Sequence, residues 1–196
     1  MKVLVVFCHP VETSYNAEIH RVALESLKRA GHEVVDLDLY AEGFNPVLSR
    51  AERLDYHDLS KNRAGVEKYV AQLQWAEALV FVYPTWTYGL PAMLKGWFDR
   101  VMLPGVSFKL GEDGIARPNL QHLKRVIGIS TYGRPWWVAT FLMGNPPRKN
   151  IVRYFRLVTG GRARISFIAH YDMNRSTDAT RAAFLAKVAR TLSEPA

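Results

Sequence analysis

At 196 residues, with 48% apolar content and a net charge of +8, the chain has the size and composition of one domain spanning residues 1–196, long enough to bury about 70% of its unfolded surface. No apolar run approaches the roughly 20 residues of a membrane span, and Met1 to Cys8 is too short for a signal h-region, so a cytoplasmic protein is expected. A single cysteine excludes an internal disulfide and fits a reducing compartment.

Lys2 to Phe7 is a continuous apolar run and reads as a strand covered on both faces, with Cys8 a small buried hydrophobe at its end. A polar loop follows, and a helix is predicted over Tyr15 to Ala30. Tyr15, Ile19, Val22, Ala23, Leu27 and Ala30 form one stripe, Thr13 or Ser14 is the N-cap, and Gly31 is the C′ residue. Free N–H groups and two hydroxyls at a helix start make an anion site. In Val34 to Leu39, Asp36 and Asp38 alternate with apolar neighbours, which suits a strand near a sheet edge. Tyr40 to Leu59 reads as irregular, with turns at Gly43 and Asn45-Pro46, and residues 61–75 as a helix.

Leu79 to Tyr83 is a second buried run, rich in β-branched and aromatic residues, and Pro84 ends it because it offers no N–H to a ladder. Thr85-Trp86-Thr87-Tyr88-Gly89 then fills a loop, and Pro91 opens a helix expected over residues 91–103. A strand, an aromatic loop and a Pro-started helix form a shelf for a flat, partly apolar ligand of flavin shape. Pro104-Gly105 turns the chain, and Phe108 to Arg117 reads as a hairpin. Arg125 to Ser130 is the fourth strand of the main sheet, followed by Thr131-Tyr132-Gly133. Residues 134–158 hold helical pieces broken at Trp136-Trp137 and Pro146-Pro147. Arg164 to Ala169 is the fifth strand, and Thr177 to Leu192 the last helix. Strands alternating with helices give right-handed βαβ units and a parallel sheet.

Tyr83-Pro84 followed by Gly89-Leu90-Pro91-Ala92-Met93-Leu94-Lys95-Gly96-Trp97-Phe98-Asp99-Arg100-Val101 resembles the NAD(P)H quinone oxidoreductases of the flavodoxin-like superfamily. Asp38-Leu39-Tyr40-Ala41, Phe44-Asn45-Pro46 and Ser49-Arg50 are similar to another segment of the same family. The likeness is clear over roughly the first 130 residues. It implies an α/β, flavodoxin-like fold: a five-stranded parallel sheet of order 2-1-3-4-5 with helices on both faces, the loops after strands one, three and four meeting at its carboxyl edge.

The resemblance also implies roles. His9, Thr13, Ser14, Tyr15 and Asn16 match the segment that holds the cofactor phosphates. Pro84, Thr85, Trp86, Thr87 and Tyr88 match the flavin-ring loop, with backbone N–H groups at the ring edge, where hydrogen bonds tune the flavin. Thr131, Tyr132 and Gly133 replace a Thr-Thr-Gly-Gly loop, and Gly133 permits close backbone approach. Trp86, Tyr88 and Tyr132 are the candidate catalytic residues: the first two pack on the ring or wall the substrate slot, and Tyr132 is a candidate for proton relay, with Trp136 and Trp137 as further ones. The chain departs from the family in carrying Trp86-Thr87-Tyr88 where relatives have Gln-Trp-Phe, and in lacking their tyrosine–histidine pair, since His122 and His170 lie on either side of that region.

The expected activity is hydride transfer from NAD(P)H through FAD, or alternatively FMN, to a quinone-like acceptor, donor and acceptor stacking in turn on one flavin face. A homodimer is expected, because relatives complete the flavin site with a second subunit; Trp97 and Phe98 are adjacent and cannot face the same way, so one is available to a partner. The alternatives are a flavin-bearing ancillary subunit regulating a transporter and a flavodoxin-type electron carrier; the basic charge argues against the carrier. Seven cations and no acid lie between Arg134 and Arg164. Set among Trp136, Trp137, Val138, Phe141, Leu142 and Met143, they suit a flap that attracts phosphate and prefers NADPH, or a peripheral contact with anionic lipid. No nucleic-acid partner is expected. There is no Gly-x-Gly-x-x-Gly, no Walker lysine and no metal-ligand spacing, and Thr159-Gly160-Gly161 reads as a turn because a strand follows it. Glu77, Asp55 and Asp58 read as solvated carboxylates.

Overall fold

The computed structural model describes residues 1–193. β1 (Lys2–Phe7), α1 (Tyr15–Arg29) and β2 (Glu33–Asp38) are followed by two helices, α2 (Arg50–Leu54) and α3 (Glu67–Trp75), and by β3 (Ala78–Pro84) and α4 (Ala92–Val101). β4 (Phe108–Leu110) and β5 (Ala116–Pro118) pair antiparallel as the expected hairpin. β6 (Arg125–Thr131) leads through α5 (Pro146–Lys149) and α6 (Phe155–Val158) to β7 (Arg164–His170) and α7 (Asp178–Ser193). The main sheet runs β2-β1-β3-β6-β7, all parallel, which is the expected 2-1-3-4-5 order once the hairpin is set aside.

Side-chain alternation along each buried strand feeds two cores. Leu4, Val6 and Cys8 of the first strand segment, with Leu79, Phe81 and Tyr83 of β3, face α3, α4 and α6 through Leu73, Leu94, Trp97 and Phe155. Val3, Val5 and Phe7, with Val80 and Val82, face α1 and α7 through Ile19, Ala23, Leu27, Phe184 and Val188. Each Val, Leu, Ile or Phe side chain among these contributes about 1.5–3 kcal/mol when fully buried. β2 lies at the edge, and its Asp36 carboxylate meets His20 at 2.7 Å, in keeping with its alternating sequence.

Three local readings change. The helix expected from residue 61 begins at Glu67, because Gly65 adopts a left-handed φ of 77° that a helix cannot continue through. The stretch from Tyr40 to Leu59 is not wholly irregular: Ser49 and Glu52 close a reciprocal capping box that starts α2. Glu77 is not merely solvated. It accepts from the Lys2 amide and pairs with Lys124, contacts that hold its carboxyl down at about 2, the Lys124 bond contributing most.

The long signature read in the sequence is a packing device. A Cβ on Gly96 would sit 2.2 Å from the Pro46 carbonyl oxygen, so the Phe44-Asn45-Pro46 segment lies directly on α4 at that residue. Arg100 clasps the same segment, donating to the Asn45 carbonyl at 2.5 Å and, through Nε, to Glu52 at 2.7 Å. Residues 134–158 contain two π-helical turns, Val138–Leu142 and Asn150–Tyr154, the second running without a break between α5 and α6. Extra residues per turn hide the 3.6 period that a sequence reading relies on.

Candidate functional site

The sheet topology sets the loops after β1, β3 and β6 side by side. Cys8 donates its amide to the Val82 carbonyl, Thr85 donates to Thr131 at 2.8 Å, and Tyr132 donates to His170 at 2.9 Å, so each loop is pinned to its neighbour just past the strand ends. Ligands bind at this edge of open α/β sheets.

In the first loop, Ser14 caps α1 by accepting from the Ala17 amide at 3.1 Å, while Thr13 is exposed with its hydroxyl uncommitted. The amides of Thr13, Tyr15 and Asn16 donate to no acceptor among the described residues, leaving donors at a helix start. His9 Nδ1 lies 3.0 Å from the Val11 amide. Burial holds its pKa below the ordinary value despite the opposing pull of the Val11 carbonyl. In the neutral ring that accepts from Val11, the hydrogen sits on Nε2 and is available to donate. The Tyr15 hydroxyl donates instead to the Arg181 carbonyl at 2.8 Å, and Asn16 is buried, donating to Thr131 Oγ1 at 3.0 Å. Both tie the loop to its surroundings.

In the second loop, Trp86 to Gly89 form a tight turn closed by the Gly89 amide on the Trp86 carbonyl at 2.8 Å. Thr87 and Tyr88 both carry positive φ, 49° and 57°. Two non-glycine residues in that region, one of them β-branched, cost roughly 1–3 kcal/mol each. The turn lifts Trp86, 42% exposed, to within 5.8 Å of the His9 ring and leaves the Thr87 and Tyr88 amides without acceptors among the described residues. Pro84 is buried at the strand end. Thr85 is committed to the scaffold, its amide on Thr131 and its hydroxyl 2.9 Å from Ser130 Oγ.

A cavity of about 170 Å³ opens among Thr85, Thr87, Tyr88, Tyr132, Gly133 and Arg134. Tyr132 lines it while being only 2% exposed; burial pushes its phenol up, and its hydroxyl donates to Asn145 Oδ1 at 2.6 Å. That geometry makes it an anchor for the segment after β6 and spends the hydroxyl proposed for proton relay. Gly133 leaves room for Asn174, whose Oδ1 lies 3.2 Å from where a Cβ would stand.

Three residues that the sequence reading missed shape this edge. Asn145, at a left-handed φ of 49°, bonds Tyr132 and donates to the Tyr171 hydroxyl at 3.3 Å; Asn174 closes over the Gly133 loop. An Asn, a residue type that tolerates the left-handed region, directly before two prolines was the one sequence signal for Asn145; Tyr171 and Asn174 gave none. The residues present fit a flavin: unsatisfied amides in two loops offer donors to an anion and to a ring edge, and exposed Trp86 offers an aromatic surface. Among the described residues no group of three or more His, Cys, Asp or Glu side chains is placed to hold a metal ion. Among the described residues no helix is long and apolar enough to cross a membrane.

The family described as flavodoxin-like fold matches residues 1–192. NAD(P)H dehydrogenase [quinone] 1 of Rattus norvegicus is 33% identical over 148 residues, which is 67% of this chain and 54% of that protein. The chain spans about half the length of the curated relatives it matches. Among solved structures, Smu.1420 from Streptococcus mutans UA159 superposes with a TM-score of 0.85 at 29% identity, covering 98% of this chain and 99% of that one. An NAD(P)H:quinone oxidoreductase from Methanothermobacter marburgensis superposes at 0.81 with 25% identity, covering 99% and 98%. With a match running from the first strand to the last helix, around a sheet of the same order, the chain belongs to the flavodoxin-like fold family.

Proposed function

We propose that this protein is a flavin-dependent oxidoreductase that draws hydride from NAD(P)H and reduces quinones or similar small acceptors. The observation that carries the reading is the convergence of three loops at one sheet edge, where the free amides of Thr13, Tyr15 and Asn16 and those of Thr87 and Tyr88 flank the exposed Trp86. Relatives named as quinone dehydrogenases and quinone oxidoreductases support it.

In this reading Thr13, Ser14 and His9 Nε2 hold the cofactor phosphates, and the amides of Thr87 and Tyr88, with Gly133, hold the ring edge. The flavin, FAD or FMN, supplies two-electron hydride chemistry when bound. Trp86 and Tyr88 wall the acceptor slot and supply proximity, which alone lowers a bimolecular barrier by several kcal/mol. Tyr132 positions the third loop through Asn145. A second copy of the chain completes the enzyme. The groove lined by Leu48, Leu90, Phe98, Met102 and Tyr154, of about 530 Å³, supports this, because Trp97 is fully buried while its neighbour Phe98 is only partly buried and lines the groove.

Purified protein is expected to be yellow, and the cofactor released on denaturation is identified by its mass. A colourless protein that takes up neither FAD nor FMN in titration overturns the reading. NADPH oxidation that does not accelerate on adding quinone overturns the acceptor assignment.

A further inference from the structure

Several cations on this surface are paired. Arg21 meets Glu18 and Glu25, Arg100 meets Glu52, Arg117 meets Asp113, Arg175 meets Asp172, and Lys61, Lys95 and Lys124 each meet a carboxylate. Arg148, Lys149, Arg153 and Arg156 are set apart by being gathered in one place. All four line one cavity of about 540 Å³, and no carboxylate lines it with them. None of the four makes an ion pair or side-chain hydrogen bond among the described residues. Their spacing of one, four and three residues places them along one side of the α5–π-turn–α6 rod.

The cavity is shaped to keep them there. Gly144, at a left-handed φ of 66°, leaves room beside the Lys149 ammonium, whose Nζ lies 3.1 Å from where a Cβ would stand. Asn145 and Tyr171 form its polar wall. Tyr171 accepts from Asn145 Nδ2, so its own hydroxyl hydrogen remains to be donated. Four like charges facing one space repel one another until an anion enters, and guanidinium forks match the oxygens of a phosphate better than those of any neutral group.

We propose that this cavity is a binding site for a phosphorylated ligand, with Arg148, Lys149, Arg153 and Arg156 taking the phosphate and Tyr171 donating from the wall. The Tyr171–Asn145–Tyr132 chain connects it to the small cavity at the sheet edge, so occupancy and the candidate flavin site share a hydrogen-bonded wall. One phosphate chemistry has two sources here. The 2′-phosphate of NADPH is one. A phospholipid headgroup is the other, since exposed Phe141, Leu142 and Met143 flank the cavity and suit a bilayer surface.

The test uses the full chain and inorganic pyrophosphate as probe, followed by calorimetry at low salt. Arg153→Gln/Arg156→Gln is expected to weaken binding by about tenfold or more, while Arg29→Gln, far along the chain on α1, leaves it unchanged. Circular dichroism confirms that the double variant is folded, and Lys149→Gln, at a solvated position, gives a second reading. Competition by 2′,5′-ADP but not by 5′-AMP assigns the site to the nucleotide. Competition by phosphatidylglycerol vesicles, with none by 2′,5′-ADP, assigns it to lipid. Absence of pyrophosphate binding by the unaltered protein at millimolar concentration, or an equal loss in Arg29→Gln, overturns the site. A colourless protein that still binds pyrophosphate would end the flavin reading and leave this site standing.

Discussion

Tyr132 and Asn145 meet inside the protein, the phenol donating to the amide oxygen at 2.6 Å with both residues more than nine-tenths buried. This bond fastens the two π-helical turns and their cations to the end of β6. Tyr132→Phe keeps the ring, including its packing at 4.7 Å on Tyr171, but leaves the buried Asn145 oxygen with only the long 3.4 Å bond from the Arg148 amide. A loss of about 1–2 kcal/mol in denaturant unfolding is expected, with flavin affinity changed only a few-fold. Unchanged stability combined with a collapse in turnover would return Tyr132 to the chemistry.

A larger effect is expected at Gly96. In an exposed helix interior, Gly→Ala gains up to about 1 kcal/mol. Here the added methyl meets the Pro46 carbonyl oxygen at 2.2 Å and the Pro46 Cα at 2.4 Å, backbone atoms that cannot swing aside. Gly96→Ala is therefore expected to destabilise by about 2 kcal/mol or more. A thermal midpoint equal to that of the parent would show that residues 44–46 do not press on α4.

Much of this was readable in the chain. Lys2–Phe7 and Ala78–Pro84 are continuous apolar runs, and two-sided burial in a parallel sheet is what such runs require. An N-cap at Thr13 or Ser14 and the edge position of β2 followed from side-chain type, and the structure places the cap at Ser14. The site was legible as loops but not as contacts. Nothing local says that the Tyr15 hydroxyl turns to Arg181, 166 residues away, or that Asn16 spends its amide on Thr131. Residues 134–158 stayed opaque because π-helical turns have no 3.6 period. The capping box at Ser49 and Glu52 was there to be read and was passed over beside the turn signals of Gly43 and Asn45-Pro46.

Cys8 gives a pH-dependent prediction. Burial, its largest cause, pushes the thiol from 9.0 up to about 12, so the folded protein keeps it protonated. The unfolded chain loses that proton near its ordinary value. Stability from this group is therefore complete below pH 9 and declines as the pH rises from about 9 toward about 12. The decline should be smaller in Cys8→Ala than in the parent, compared by urea midpoints across that window. The native thiol is also expected to resist a disulfide reagent at pH 8 until denaturant is added. Rapid labelling of the native protein would contradict the burial.

The final prediction concerns the turn that lifts Trp86. Positive φ at both Thr87 and Tyr88 is the pattern of a type I′ turn, for which Asn-Gly is the preferred pair. Thr87→Asn removes a β-branched residue from a left-handed position and keeps the aromatic at Tyr88. It should raise stability by about 0.5–1 kcal/mol and leave NADPH oxidation near the parent rate. Tyr88→Gly relieves the second strained residue but also removes a wall of the candidate acceptor slot. Its stability should rise or hold, while the quinone KM climbs several-fold and flavin content stays constant. The two variants separate strain kept for function from strain without one. If Tyr88→Gly turns over quinone as the parent does, the loop does not hold the acceptor, and its strain needs another cause.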